Sequence, residues 1–353
     1  MASRARFVYR RRREVAWLLS DQRKNQYPLS ATSTLRAWRS GFLSQSYLLY
    51  ELDRNDAADY VTDRTRYLRL SRLNAPYSVI LHDKLLFGEV FRRHSDVLPE
   101  TYAVVRNGRV VPMSETERVD SVEAIFELLS RRGRLVLKGV RGWGGSDTTV
   151  MEDRDGELFF GGVPTGRDRA RRYVASRPPQ ILTEYVEQAA YAREIFPDSA
   201  NSIRMLTMVD AETYEPFLAR AVHRFGGRHT RLMDNFTQGG VAAMVDPETG
   251  SLGHGIRVLP TGRPEAVECH PDTGAKIAGV VVPRWREALE RVLEIAREHA
   301  YLPYVGWDLV VTDDGIRLLE GNSNSGTDVL QIHGPLLADP RIRRFYKRRG
   351  VLS

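Results

Sequence analysis

Residues 305–326 read VGWDLVVTDDGIRLLEGNSNSG. Two short strands are predicted here, joined by the turn Asp313-Asp314-Gly315. The first carries Asp308; the second carries Glu320 and, two residues on, Asn322. Side chains two apart on a strand share a face, so Glu320 and Asn322 project together. Hairpin pairing can bring Asp308 alongside them. Two carboxylates and an amide oxygen, without sulfur or imidazole, suit a hard cation such as Mg²⁺ bridging phosphates. An ordinary hairpin with solvated carboxylates is the competing reading, and the remaining sequence bears on the choice.

Working outward, Arg284 to His299 places Trp285, Leu289, Val292, Leu293 and Ala296 at helical spacing. Before it come the long strand-like runs SIRMLTMVD, PFLARAVHRF and GGVAAMVD. Further upstream, strands TYAVV and RVV flank Asn107-Gly108, and a helix capped by Asp120 or Ser121 runs to Arg131. The strand LVLK then enters a glycine-rich loop, followed by TTVM, a turn at Asp155-Gly156, LFF, a helix near Arg167 to Ala175, and ILTEYV. Residues 1–80 carry helical spacing around Trp17, Leu18, Tyr47, Leu48, Leu52 and Leu68. The expectation is an α+β chain with a helical N-terminal region (1–80), a small lobe (81–186) and a large lobe (187–353), hinged near residue 186.

The 353 residues carry a net charge of +7, and of 52 basic residues only Lys24, Lys84, Lys138, Lys276 and Lys347 are lysine. An ammonium retained in an arginine-rich chain suggests a site needing a compact point charge. The single Cys269 excludes an internal disulfide framework. No run approaches the roughly 18 apolar residues of a membrane span, and the arginine-rich start does not resemble a secretory signal. The expectation is a cytoplasmic protein. Basic clusters at Arg10 to Arg13 and at Arg341, Arg343, Arg344, Lys347, Arg348 and Arg349 offer peripheral attraction to an anionic surface, or simply solvated helix faces. Nothing combines aromatic and basic residues as nucleic-acid binding would require.

Lys138 ends an apolar strand and precedes GVRGWGGSD, where Gly142, Gly144 and Gly145 permit tight turns and close approach of N–H groups to phosphate oxygens. The order is not that of a Walker loop; a strand-loop-strand flap fits better. Glu184-Tyr185-Val186-Glu187 ends a strand at the hinge, where extended backbone can meet an adenine edge. Arg204 and Arg220 each lie in an apolar strand, and a buried guanidinium needs anionic partners. Substrate phosphate or carboxylate would serve, as would a structural ion pair. His223, three residues past Arg220, falls on the opposite strand face.

Taken in order, Asp83-Lys84, Lys138 with its glycine loop, Glu184 to Glu187, Arg204, and Asp308 with Glu320-x-Asn322 resemble the ATP-grasp superfamily over about residues 82–333. The phrases NSIRMLT, MDNFTQGG, HPDTG and QIHGP resemble more narrowly the sugar-transfer-associated ATP-grasp proteins, relatives of α-L-glutamate ligases often associated with polysaccharide biosynthesis. The resemblance implies two α+β lobes holding ATP between antiparallel sheets. It implies Lys84 and Lys138 on the α- and β-phosphates, the Arg141 to Ser146 loop over them, and Glu184, Tyr185 and Val186 at the adenine. The ribose carboxylate is Glu187 or Glu194. Asp308, Glu320 and Asn322 would bind one or two Mg²⁺ ions, with Mn²⁺ as an alternative. Asn201, Ser202, Asp234, Asn235 and Gln238 would face the acceptor. Peptide-forming members often carry an arginine just before the first metal aspartate; Gly306 and Trp307 stand there instead, which leaves Arg204 or Arg220 to stabilise the transition state. The implied activity is an ADP-forming ligase that joins a small-molecule carboxylate to an amine or sugar acceptor. A phosphotransferase with Asp234 as base and a nucleotide-gated binding module are the alternatives.

Overall fold

The computed structural model describes Ser20 and residues 27–141, 147–176, 178–230 and 232–352. Trp17, Leu18, Arg10 to Arg13 and the flap residues 142–146 lie outside that set. Two seven-stranded antiparallel sheets organise the chain. The first contains β1 (Thr101–Arg106), β2 (Arg109–Pro112), β3 (Arg134–Gly139), β4 (Thr148–Arg154), β5 (Glu157–Phe160), β6 (Val163–Pro164) and β7 (Gln180–Glu184), ordered β2-β1-β7-β3-β4-β5-β6. The second contains β8 (Ile203–Val209), β9 (Pro216–Phe225), β10 (Val241–Val245), β11 (Leu252–Val258), β12 (Pro264–Val267), β13 (Tyr304–Val311) and β14 (Ile316–Asn322), ordered β12-β11-β10-β9-β8-β13-β14.

Turn chemistry sets the small sheet. Asn107-Gly108 and Asp155-Gly156 both adopt positive φ at both positions, the geometry that matches strand twist in tight hairpins. The helix Val122–Arg132 begins where the Ser121 hydroxyl accepts the Ala124 amide at 3.1 Å and stops at Gly133, φ 74°. Strand alternation then sorts the side chains. Leu135 and Leu137 enter the core beneath the helices, with Ile125, Leu128, Leu129, Ala170 and Val174, while Val136 and Lys138 face the cleft.

A packed core lies on each face of the large sheet. Ile203, Met205, Val305, Trp307 and Leu309 pack against Val292, Ile295 and Ala296 of the helix Trp285–Glu298. Leu206, Met208, Val222 and Tyr304 meet Phe42, Tyr50, Leu70, Ile342, Phe345 and Tyr346. The N-terminal helical region is therefore a layer of the large lobe. Asn74 brackets Tyr304, its side chain donating to the carbonyl at 2.5 Å and accepting from the amide at 3.1 Å. Gln331 brackets Val61 in the same way, donating to its carbonyl at 3.1 Å and accepting from its amide at 2.7 Å.

Leu81, Phe87, Phe91 and Val97 pack into the large-lobe core, because the apolar face of the helix Lys84–Val90 lies against β14 rather than against the small sheet. The small sheet itself begins at Thr101 and ends at Glu184. No helix among the described residues is long and apolar enough to cross a membrane. The C-terminal basic cluster is largely used inside the molecule. Arg341 lies 3.9 Å over the Phe217 ring, Arg343 pairs with Asp59 at 2.7 Å, Arg348 with Glu212 at 2.5 Å, and Arg349 donates to the Val209 carbonyl at 3.4 Å.

Candidate active site

A cleft of about 260 Å³ opens between the two sheets. From the small lobe it is lined by Val136, Lys138, Gly139, Asp147, Thr148 and Val150, at the hinge by Glu184, Tyr185 and Val186, and from the large lobe by Ser202, Arg204, Arg224, Asp234, Asn235, Asp308, Glu320 and Asn322. Lys84 reaches the same cleft from the helix start. Asp83 shapes that start: its carboxylate accepts the Leu85 and Leu86 amides, both at 3.2 Å, and the Arg141 guanidinium at 2.9 Å. The ion pair ties the root of the flap to the helix that presents Lys84.

The hairpin β13–β14 does what the opening stretch predicts. Asp308 lies directly opposite Glu320, and Gly306 opposite Asn322, with a register irregularity immediately after Asp308. The Asn322 side-chain NH₂ donates to the Gly306 carbonyl at 3.3 Å and to Glu320 at 3.4 Å. Its amide oxygen is then the atom left to ligate a cation. Gly321 between them is required from behind. A Cβ there would come within 2.8 Å of Leu81 Cδ2 and 3.1 Å of Phe87 Cε2, so the helical segment 79–90 sits on β14 closely enough that any larger residue would make those side chains shift.

Asp308 is 4% exposed, and a buried carboxylate stays charged only with partners. Arg204 supplies a two-point contact, Nε to Oδ1 and Nη2 to Oδ2, the latter at 2.8 Å, and Arg224 lies 3.2 Å from Oδ2. Burial acts to raise the Asp308 pKa, but the two guanidinium groups outweigh it and hold the carboxyl below its usual range. Burial opposes the charge on Arg204 too, and Asp308 more than restores it. Across the cleft, burial pulls Lys138 down to about 8, with Glu320 acting to raise it and Lys84 to lower it. Glu184 is raised by burial, while Arg317 at 3.8 Å acts to lower it.

The donor set fits a magnesium-bound triphosphate. Asp308, Glu320 and Asn322 offer only oxygen, each carboxylate oxygen has more than one lone pair, and two ammonium groups face them. Ser202 and Asp234 form the adjoining wall. Asp234 Oδ2 accepts the Ser202 amide at 2.8 Å and its hydroxyl at 2.5 Å, and Arg224 donates to that hydroxyl at 2.5 Å. Asn235 accepts the Thr237 amide at 3.2 Å and hydroxyl at 2.9 Å.

Several residues named from the sequence stand elsewhere. Arg220 donates to the carbonyls of Leu330 at 3.2 Å and Gly334 at 3.0 Å, beneath the C-terminal helices, and does not line the cleft. The second arginine at Asp308 is Arg224, four residues on and hence on the same strand face, which period-2 counting from Arg220 would have found. Asn201 is buried scaffolding. Its NH₂ donates to Ala192 and Phe196 carbonyls at 3.0 and 2.7 Å, and its oxygen accepts the Gly226 amide at 3.0 Å. Glu187 pairs with Arg134 at 3.4 Å, and neither it, Glu194 nor Gln238 lines the cleft. His223 faces away, joined to the Tyr191 hydroxyl at 2.8 Å and pushed down to about 3 by burial. Gly142, Gly144, Gly145 and Ser146 lie outside the described residues.

A family model described as sugar-transfer associated ATP-grasp matches residues 64–345. The chain belongs to that family. Among solved structures, this ATP-grasp chain is similar to the D-alanine–D-alanine ligase of Bacillus anthracis, 14% identical over 80% of this chain and 75% of that one, TM-score 0.39. It is similar to the D-cycloserine synthetase DcsG, 16% identical over 78% and 72%, TM-score 0.41. It is also similar to the ATP-grasp ligase PsnB in complex with a minimal precursor, 18% identical over 75% and 62%, TM-score 0.38. The ATP-grasp chain thus spans about 62% of the length of PsnB. A search of curated proteins found no match.

Proposed function

We propose that this ATP-grasp protein is an ADP-forming ligase that activates a small-molecule carboxylate with Mg-ATP and joins it to an amine or a sugar hydroxyl. The observation carrying this reading is the confrontation across one cleft of Asp308, Glu320 and Asn322 with Lys84 and Lys138. Mg-ATP bound there would supply its γ-phosphoryl group to the substrate carboxylate with release of ADP, and the acceptor would then displace phosphate from the acyl phosphate. The chain's own residues position and neutralise. The two lysines meet the phosphates, and Asp308, Glu320 and Asn322 hold the ion. Glu184 to Val186 and the apolar Val136 and Val150 receive the base, with Glu184 the cleft carboxylate nearest in sequence to that role. Arg204 and Arg224 line the cleft beside Asp308 and would meet negative charge developing on the transferred phosphoryl group, the role left open by the missing arginine before Asp308.

No protein nucleophile is needed. The phosphotransferase alternative requires a free base at the acceptor, and Asp234 is poorly suited: its Oδ2 accepts two hydrogen bonds from Ser202 and sits 3.4 Å from Arg224. A role in polysaccharide or sugar-conjugate synthesis accords with the family description and awaits the substrate.

A screen of amino acids, sugar acids and amino sugars should find ADP release that needs a carboxylate and an acceptor together. AMP and pyrophosphate as products would overturn the assignment. Glu320→Gln should abolish turnover with an unchanged far-UV CD spectrum; retained turnover would show the metal ligands to be misassigned.

A further inference from the structure

Behind the large sheet, away from the cleft, His94, Glu298 and His299 converge. One ring nitrogen of each histidine and a Glu298 carboxylate oxygen lie within 4.8 Å of one another. His94 sits in the 3₁₀ segment Arg92–Val97 and is 3% exposed, yet its Nε2 is buried without a hydrogen-bond partner. That atom is 3.2 Å from Glu298 Oε2. His299 closes the helix Trp285–Glu298, and its Nδ1 donates to the Ile295 carbonyl at 2.9 Å. A backbone carbonyl on one imidazole nitrogen fixes the tautomer and leaves Nε2 as a lone-pair donor, the arrangement found behind metal-binding histidines. The three groups border a groove of about 1030 Å³, also lined by Glu89 and Tyr301, so water can complete a coordination sphere.

We propose that His94, Glu298 and His299 bind a late divalent cation such as Zn²⁺, distinct from the magnesium of the cleft. Two imidazoles with one carboxylate form a borderline-soft set that selects against Mg²⁺. Separations of up to 4.8 Å close to coordination distance with side-chain shifts of about an ångström or less. Three arginines, Arg92, Arg93 and Arg291, also line the groove; Arg291 is paired with Asp96 at 2.8 Å and Glu294 at 2.6 Å, and Arg92 with Glu115 at 3.6 Å. The ion would clip the chain just past the helix that presents Lys84 to the long helix behind the large sheet. Its role is structural.

The test is titration of chelator-stripped protein with Co²⁺, a spectroscopic stand-in for Zn²⁺, in excess Mg²⁺ to saturate oxygen-only ligands. One equivalent should bind with the visible absorption of a nitrogen-ligated ion, and Zn²⁺ should displace it. Glu298→Gln and His299→Asn, on the more exposed ligands, should each weaken Co²⁺ binding at least tenfold, while Glu320→Gln should not. Zn²⁺ should raise the melting temperature of the unsubstituted protein and leave that of Glu298→Gln unchanged. Absence of the Co²⁺ spectrum, or an affinity in both ligand variants equal to that of the unsubstituted protein, would reduce the cluster to a simple His94–Glu298 contact.

Discussion

Lys138 shows how one side chain takes its properties from its position. It alternates with Leu135 and Leu137, which enter the small-lobe core, and so must face the cleft. Burial there brings its pKa from 10.5 down to about 8. An anionic triphosphate favours the protonated amine, so the unliganded protein must take up a proton on binding whenever the pH exceeds about 8. Mg-ATP affinity should therefore be flat below pH 8 and fall by up to about tenfold per pH unit above it. Calorimetry from pH 7 to 9.5 reads this directly. Lys138→Arg should bind more weakly at neutral pH and lose the dependence, since a guanidinium stays charged throughout. At Arg224 and Arg220 the contrast is one of surroundings. Both lie on one face of β9, but only Arg224 meets Asp308. Arg224→Ala should lower turnover by tenfold or more, and Arg220→Met should leave nucleotide affinity intact while lowering stability.

At the level of elements, the hairpin β13–β14 works because of what packs behind it. Glu320 and Asn322 face the cleft from positions two apart, and the residue between them faces Leu81 and Phe87. Gly321→Ala introduces a methyl at less than contact distance from both, a cost of about 1–3 kcal/mol for overpacking. Chemical denaturation should show that loss, and Mg-ATP affinity should fall with it, because the same shift displaces Lys84 and the two metal ligands. Unchanged stability in that variant would mean that the Leu81 and Phe87 side chains make room for the methyl. The hairpin's own turn holds the segment that follows the small sheet: Ala189 donates to the Val311 carbonyl at 2.8 Å and Ala190 to Asp313 Oδ1 at 3.1 Å.

Over the whole molecule, the N-terminal region and the C-terminal helix together cover the large-sheet face that carries Leu206, Met208, Phe217 and Tyr304. Asn74 makes two of the hydrogen bonds that lock it there. Asn74→Ala should destabilise the protein by about 1–3 kcal/mol, because the Tyr304 backbone groups are left buried and unpaired. The measurement is the midpoint of urea unfolding. A nucleotide that bridges both lobes stabilises only the folded state, by about 2.7 kcal/mol at a hundredfold excess over Kd. The melting temperature should therefore rise with Mg-ATP, and Glu320→Gln should blunt the rise.

The sequence by itself determined the elements and the ligand types. Period-2 strands, helical spacing, and the Asn-Gly and Asp-Gly turns are local properties, written in neighbouring residues. So is the pairing of Asp308 with Glu320-x-Asn322, whose hairpin fixes its own register. Only the tertiary structure decided that Arg224 rather than Arg220 meets Asp308, that Asn201 is scaffolding, and that residues 81–98 belong to the large-lobe core. It alone brought His94 to His299, 205 positions along the chain. Such outcomes rest on which surfaces cover which sheet face, and burial between distant segments has no signature in the spacing of adjacent side chains.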